Sequence, residues 1–284
     1  MDTQNSVGTL YIVATPMGNL EDVTFRAVKV LKQVDLIAAE DTRHSKKLLA
    51  HYGIVTRLVS CHEHNEMNKT PQLITHLKNG VDIALICDAG TPGISDPGYN
   101  LVKAVARGKL PIIPIPGCSA ATAGLSVSGI PTDSFLFLGF LPKKQQKQIK
   151  ALEAIADQSA TLILYESPRR IKALIDNMLK ILGDRKAFLA REITKLHEEY
   201  IRGNLSDILK TLEEKEIVKG ECSLFVQGRL EQKTIDKGQL EKILCKKLST
   251  TDLGTSDLAG QISKEFNLSK KYVYGMILKL NSTQ

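Results

Sequence analysis

The chain has 284 residues, 43% hydrophobic and 24% charged, with 38 Lys and Arg against 31 Asp and Glu, a formal charge of +7. That is an ordinary globular composition with room for two medium domains and an appendage, and its modest basic excess suits an acidic partner, nucleic acid above all. The five cysteines are scattered without a C-x-x-C pair, which excludes a disulfide framework or a zinc ribbon and fits a reducing cytoplasm. Residues 1 to 8 are polar, so no signal peptide is expected there, and no apolar run approaches membrane-spanning length. Tryptophan is absent and aromatics make up only 5%, so base-stacking platforms must be sparse.

Leu10 to Ala14 is a continuous apolar run, as in a strand buried on both faces, and ends in the loop Thr15 to Leu20. A helical pattern follows through Val23, Ala27, Val30 and Leu31. Leu36 to Ala39 is the next strand. Asp41 or Thr42 caps the helix carrying Leu48, Leu49 and Tyr52, which Gly53 stops. Further strands are read at Arg57 to Ser60, Ile83 to Cys87 and Pro111 to Ile115, with a helix through Leu101, Val102 and Val105.

After Pro131 the alternation restarts with strands at Phe135 to Phe140, Thr161 to Tyr165, Ala187 to Ala190 and Ser223 to Val226. Ser167 as cap with Pro168 at the first position starts a helix that Gly183 ends. This alternation predicts mainly parallel α/β sheets. Residues 232 to 238 read as a linker. Three stripes follow: Leu240, Ile243, Leu244 and Leu248; Leu258, Ile262 and Phe266, capped by Ser256; and Val273, Ile277 and Leu280, capped by Ser269. The last two resemble a helix-turn-helix, with Lys264, Lys270 and Lys271 around its turn.

The richest loop runs from Cys87 to Gly98, with three glycines, two prolines and two aspartates after an apolar strand. Such residues let a backbone approach a ligand closely, and ligands sit at the carboxyl ends of parallel strands. G-x-G-x-x-G and Walker sequences are missing, which disfavours dinucleotides and nucleoside triphosphates. Glu40-Asp41 reads as an acid/base pair, an amine or hydroxyl binder, or a capping pair, and because adjacent residues at a strand end point in different directions, shared-proton chemistry is disfavoured. Cys61-His62-Glu63-His64 has metal-capable groups but no second cluster, so a hydrogen-bonding loop is preferred and no metal is expected. Ser119 lacks the G-x-S-x-G context of a nucleophile. Arg191 to Glu199 is dense in charge and reads as a polyanion-positioning loop or a salt-bridged surface turn.

Seven motifs occur in order: Thr9 to Leu20, Ala38 to Arg43, Asp88 to Pro92, Ile94 to Gly98, Pro116 to Ala120, Tyr165 to Pro168 and Arg191 to Lys195. Together they resemble a family of small-subunit ribosomal RNA methyltransferases in the tetrapyrrole methylase superfamily. Two departures stand out: Cys87 where that family more often has Ser, and Arg169 where it often has His. The resemblance implies two α/β domains, 1–117 and 118–231, with a cofactor cleft between them, and a helical domain, 239–284. It implies S-adenosylmethionine-dependent 2′-O-methylation of a cytidine in the 16S rRNA of the 30S subunit, by a cytoplasmic homodimer. On that basis Pro16, Asp88, Ala89, Thr91, Ile94, Ser119, Ala120, Tyr165 and Arg191 are expected near the cofactor.

Lys195, Glu40 or Glu166 is expected to take the ribose proton, Lys195 only if burial or Arg191 keeps it neutral. Arg43, Lys46, Lys47, Arg169 and Arg170 are expected to meet RNA phosphates. The competing readings are a small-molecule methylase of the tetrapyrrole type and a non-enzymatic nucleic-acid-binding regulator.

Overall fold

The computed structural model describes residues 7–230, 237–251, 253–266 and 268–281, without the side chain of Lys264. Residues 1–6, and the linker read at 232–238 up to residue 236, lie outside them. Contacts divide the chain into two compact units, Met1–Gly228 and Arg229–Gln284.

The first unit opens with a fully parallel sheet of five strands: β1 (Leu10–Val13), β2 (Leu36–Ala39), β3 (Arg57–Ser60), β4 (Ile83–Ile86) and β5 (Ile112–Ile115), in the order β3-β2-β4-β1-β5. Helices α1 (Phe25–Gln33) and α2 (Thr42–His51) cover one face, where Ala27, Leu31 and Leu49 meet Ile37, Ala39, Ala84 and Ile86. Helices α3 (Glu66–Lys78) and α4 (Tyr99–Arg107) cover the other, with Leu73, Leu77, Leu101 and Val105 on Leu36, Ala38, Ile83 and Leu85. Alternate residues of β2 and β4 thus face opposite cores, which is why these strands read as unbroken apolar runs. Each leucine so buried contributes about 1.5–3 kcal/mol.

The order also fixes where a ligand can enter. From β1 the chain leaves towards β2, and from β4 towards β5, on opposite faces. The neighbouring pair β4 and β1 is therefore the topological switch point, where a crevice opens beyond the strand ends. A two-way backbone bridge between Thr15 and Gly90 joins the loops on its two sides.

The second sheet comprises β6 (Phe135–Phe140), β7 (Thr161–Glu166), β8 (Lys186–Arg191), β9 (Glu199–Asn204) and β10 (Cys222–Val226), in the order β6-β7-β10-β8-β9. It corrects the expectation of mainly parallel pairing for this half. Only β6–β7 is parallel; β10 runs antiparallel to both β7 and β8, and β9 antiparallel to β8. Helix α5 (Ala120–Ser128) packs on one face, and α6 (Gln145–Glu153), α7 (Ile171–Leu182) and α8 (Leu205–Glu213) on the other. Gly124 permits the α5 approach: a Cβ there would lie 2.3 Å from Phe225 Cζ.

Elements α3, α5, β9 and α8 were not anticipated. Helix α3 contains Pro71, and β9 alternates only weakly in burial, so neither has a clean period. Ser167 is not the cap of α7. Residues 168–170 form a turn, Ile171 N–H bonds to Ser167 O (3.1 Å), and the helix begins at Ile171.

The second unit holds α9 (Lys237–Leu248), α10 (Thr255–Phe266) and α11 (Lys270–Asn281) around Leu240, Leu244, Leu258, Ile262, Val273 and Ile277. Ser256 falls inside α10 rather than capping it, whereas Ser269 directly precedes α11. Among the described residues no helix is long and apolar enough to cross a membrane.

Candidate active site

A cleft of about 390 Å³ opens beyond the ends of β4, β7 and β8, between the two sheets. Residues from the loop after β4 form one wall: Asp88, Ala89, Gly90, Thr91, Ile94, Ser95 and Asp96. Thr91 Oγ1 donates to the Cys118 carbonyl (3.1 Å), which ties this loop to the start of α5 and to Ser119 and Ala120. The loop also reaches the second sheet. Ser95 carries φ +63°, and a Cβ on Gly139 would come within 2.6 Å of its Oγ. Gly139 occupies an irregularity in β6 with φ +58°, so a bulged glycine makes room for a strained serine.

Tyr165 and Phe140 form the aromatic side, with ring centroids 5.9 Å apart, and Met17 and Ile193 add apolar surface. Burial pushes the Tyr165 hydroxyl up to about 12, so it stays protonated at neutral pH.

The charged part of the lining is acidic. Glu40, Asp88, Asp96, Glu166 and Glu221 line the cleft, and none of its lining residues is Lys, Arg or His. Asp88 N–H donates to Glu40 Oε2 (3.3 Å), and Asp41 N–H to Asp88 Oδ1 (3.2 Å). Burial raises the Glu40 pKa against that hydrogen bond, and the charges of Asp88 and Asp41 add to the rise. Burial likewise pushes Asp96 to about 6, against the Cys87 thiol and with the charges of Glu40 and Asp88. Glu166 is fully buried. Its Oε1 accepts from Ser167 N–H (2.6 Å) and pairs with Arg170 (2.5 Å), whereas Oε2 has no partner. A buried carboxylate oxygen without a donor is costly unless a ligand completes it.

Residues 9–209 match the family of Tetrapyrrole (Corrin/Porphyrin) Methylases. The chain belongs to that family. Among curated relatives, "Ribosomal RNA small subunit methyltransferase I" of Halalkalibacterium halodurans is 52% identical over 225 residues, covering 79% of this chain and 78% of its own. The protein of the same name from Synechocystis sp. is 42% identical over 279 residues, 97% of this chain and 99% of its own. Solved structures share the fold at low identity. A Thermus thermophilus uroporphyrin-III-C-methyltransferase is 22% identical with a TM-score of 0.57, over 78% of this chain and 94% of its own. A diphthine synthase is 17% identical with a TM-score of 0.59, over 78% of this chain and 90% of its own. The tetrapyrrole methylase architecture is thereby shown for this chain.

Within this methylase fold, Glu40, Asp88, Ala89, Thr91, Ile94, Ser119, Ala120, Tyr165 and Glu166 come together in the cleft. Pro16 is buried just outside it, and its neighbour Met17 takes the lining position. Arg191 does not face the cleft. Its Nε pairs with Glu199 (2.7 Å) and its Nη1 donates to the Lys219 carbonyl (3.0 Å), beside a separate cavity.

Lys195 also departs from expectation. Its Nζ lies 2.9 Å from Glu192 and 3.3 Å from Glu221. Burial draws its pKa down, but the Glu192 hydrogen bond and the Glu221 charge outweigh that, and the net shift is upward. A lysine so held keeps its proton, which opposes a role as neutral base. Its stem lies over Gly18, where a Cβ would meet Lys195 Cγ at 2.2 Å, so it braces the β1 loop against the loop after β8.

Arg43, Lys46, Lys47 and Arg169 are exposed, Arg43 in a surface pair with Asp41 (3.3 Å). Arg170 is turned inward to Glu166, so it is not a free phosphate contact.

Asp96, Glu221, Cys222 and Ser223 also line the cleft, although none of them was expected there. The last three reach the cleft because β10 runs antiparallel and brings its first residues, not its last, to this rim. Among the described residues no group of three or more His, Cys, Asp or Glu is arranged to hold a metal ion.

Proposed function

We propose that this protein transfers a methyl group from S-adenosylmethionine to the 2′-hydroxyl of a cytidine in the 16S rRNA of the 30S subunit, as a cytoplasmic homodimer. The observation that carries the reading is a cleft walled by carboxylates and empty of cations, in a protein of net charge +7. Such a lining repels phosphate and suits a cationic methyl donor. Glu40, Asp88 and Asp96 fit a cationic group, and Tyr165, Phe140 and Ile193 fit an apolar ring. The names of relatives at 42% and 52% identity support RNA as acceptor over a tetrapyrrole.

When bound, S-adenosylmethionine supplies an activated methyl on a sulfonium, whose charge disperses during transfer. The protein's part is chiefly alignment and exclusion of water. In this reading Asp88 to Ile94, Ser119 and Ala120 hold the donor. Glu40 accepts the 2′-hydroxyl proton, since its raised pKa makes it a stronger base than an ordinary glutamate. Arg43, Lys46, Lys47 and Arg169 meet phosphates outside the acidic cleft.

Transfer of labelled methyl to 30S subunits, with a tetrapyrrole and naked DNA in parallel, tests the reading. Label is expected in 16S rRNA at a single cytidine. Label in the tetrapyrrole alone would overturn it. Neutralising Arg43 and Arg169 together should weaken RNA binding and flatten its salt dependence.

A further inference from the structure

A second depression, of about 760 Å³, lies between α1 and α2 and is separate from the acidic cleft. Its floor is Val23, Val28 and Tyr52. On its rim stands Phe25, the first residue of α1, 96% exposed. An aromatic so placed buries almost nothing of its own fold, in a chain where aromatics are scarce. Lys29 and Lys32 follow at four and three residues, so all three side chains share one face of α1. His51 stands opposite on α2, and Glu21 is the only carboxylate in the lining.

We infer that this groove binds a single-stranded segment of the RNA substrate, a base stacking on Phe25 and the backbone lying along Lys29 and Lys32. The inference rests on the RNA reading above and extends it to a surface outside the transfer cleft. An exposed aromatic interleaved with cations is the arrangement that single strands recognise, because every base offers a face and every linkage a charge. The groove is also joined to the cleft. One loop, from Thr15 to Asp22, carries Met17 into the cleft and Glu21 into the groove. That loop is pinned at its far end, where the Tyr52 hydroxyl donates to the Leu20 carbonyl and the Cys118 thiol to the Asp22 carbonyl (3.3 Å). Groove and cleft are therefore each lined by a residue of that one loop. A second copy of the chain is a poorer occupant, since a two-fold contact sets the same lysines near their own equivalents.

The test uses the full-length protein with an unstructured RNA oligonucleotide for binding and 30S subunits for methylation. Phe25→Ala is expected to weaken oligonucleotide binding roughly tenfold, the loss of one base–aromatic stack. Lys29→Ala with Lys32→Ala is expected to reduce the salt slope by about 1.4, two single-strand phosphate contacts. Both should raise KM for 30S subunits and leave kcat and S-adenosylmethionine binding unchanged. Unchanged RNA binding and KM in an active enzyme would overturn the groove alone. So would a Phe25→Ala protein whose self-association falls while its RNA affinity holds. If the unaltered protein methylates no 30S subunit yet loses RNA binding with Phe25, the groove stands and the methylation reading falls.

Discussion

Replacing Arg170 by Met separates two accounts of that residue, an RNA contact or the counter-ion of a buried acid. Glu166 has no exposed side-chain surface, and Arg170 stands 2.5 Å from its Oε1. Removing one partner of a buried pair typically costs 3–5 kcal/mol, because the remaining charge is left uncompensated. Two features reduce that here. The Ser167 N–H still donates to Oε1 at 2.6 Å, and the Arg170 side chain is 29% exposed, so water screens part of the pairing. The expected loss is about 2–3 kcal/mol. With a urea slope of about 3 kcal/mol/M, the midpoint falls by about 0.7–1 M. Circular dichroism during urea titration reads it. Glu166→Gln in the Arg170→Met background should recover most of the loss, since a neutral amide needs no counter-ion. A midpoint moved by less than about 0.2 M, together with a higher KM for RNA, would refute the pairing argument and restore Arg170 as a phosphate contact.

Asp96 predicts a pH dependence with a definite sign. Its folded pKa, about 6, lies above the unfolded 3.8, so the stability tied to its protonated form is present below 3.8 and lost as pH rises through about 6. Asp96→Asn should therefore raise the unfolding midpoint at neutral pH and leave it unchanged near pH 3.5, and S-adenosylmethionine affinity should lose its acid limb near pH 6; an unaltered binding profile would contradict this. Lys195→Arg should retain most activity and Lys195→Met lose it, because arginine cannot act as a base yet can still meet Glu192 and Glu221; equal loss in both would reinstate Lys195 as base. Gly124→Ala should lower stability by about 1–3 kcal/mol by thermal melt, since crowding against Phe225 outweighs the helix-propensity gain of about 1 kcal/mol.

The centre of the first sheet was legible because β2 and β4 are buried on both faces. Leu36–Ala39 and Ile83–Ile86 carry no exposed residue, so their apolar runs mark β-structure without ambiguity. The loop Asp88 to Ile94 was legible for the opposite reason: glycine, proline and aspartate cannot be core there, and the loop indeed walls the cleft. The second sheet hid its direction. Cys222–Val226 is as fully buried as β2, and nothing in such a run distinguishes parallel from antiparallel pairing. That single ambiguity concealed Glu221, Cys222 and Ser223. Arg170 and Arg191 were misplaced for a related reason. Arginines at strand ends look alike in sequence, whether they face solvent or a buried glutamate, and the deciding partners Glu166 and Glu199 are set by the folded chain.

On the proposed reading one protein serves two ligands of opposite sign, and its charge distribution fits that. Had the excess of cations been spread through the cleft, phosphate would compete with a sulfonium for the same wall. Instead Arg170 and Lys195, which lie beside that wall, are each held by carboxylates: Arg170 by Glu166, Lys195 by Glu192 and Glu221. The cleft then keeps Glu40, Asp88 and Asp96 facing inward with no cation in its lining. Positive charge lies outward, for example on Lys46 and Lys47 of α2 and Lys29 and Lys32 of α1, all exposed. Within a few ångströms carboxylates dominate, and beyond a Debye length of about 8 Å each set is screened from the other. On the reading proposed above, an acceptor enters ribose first while its phosphates stay with the exposed lysines, which is the orientation that 2′-hydroxyl methylation requires.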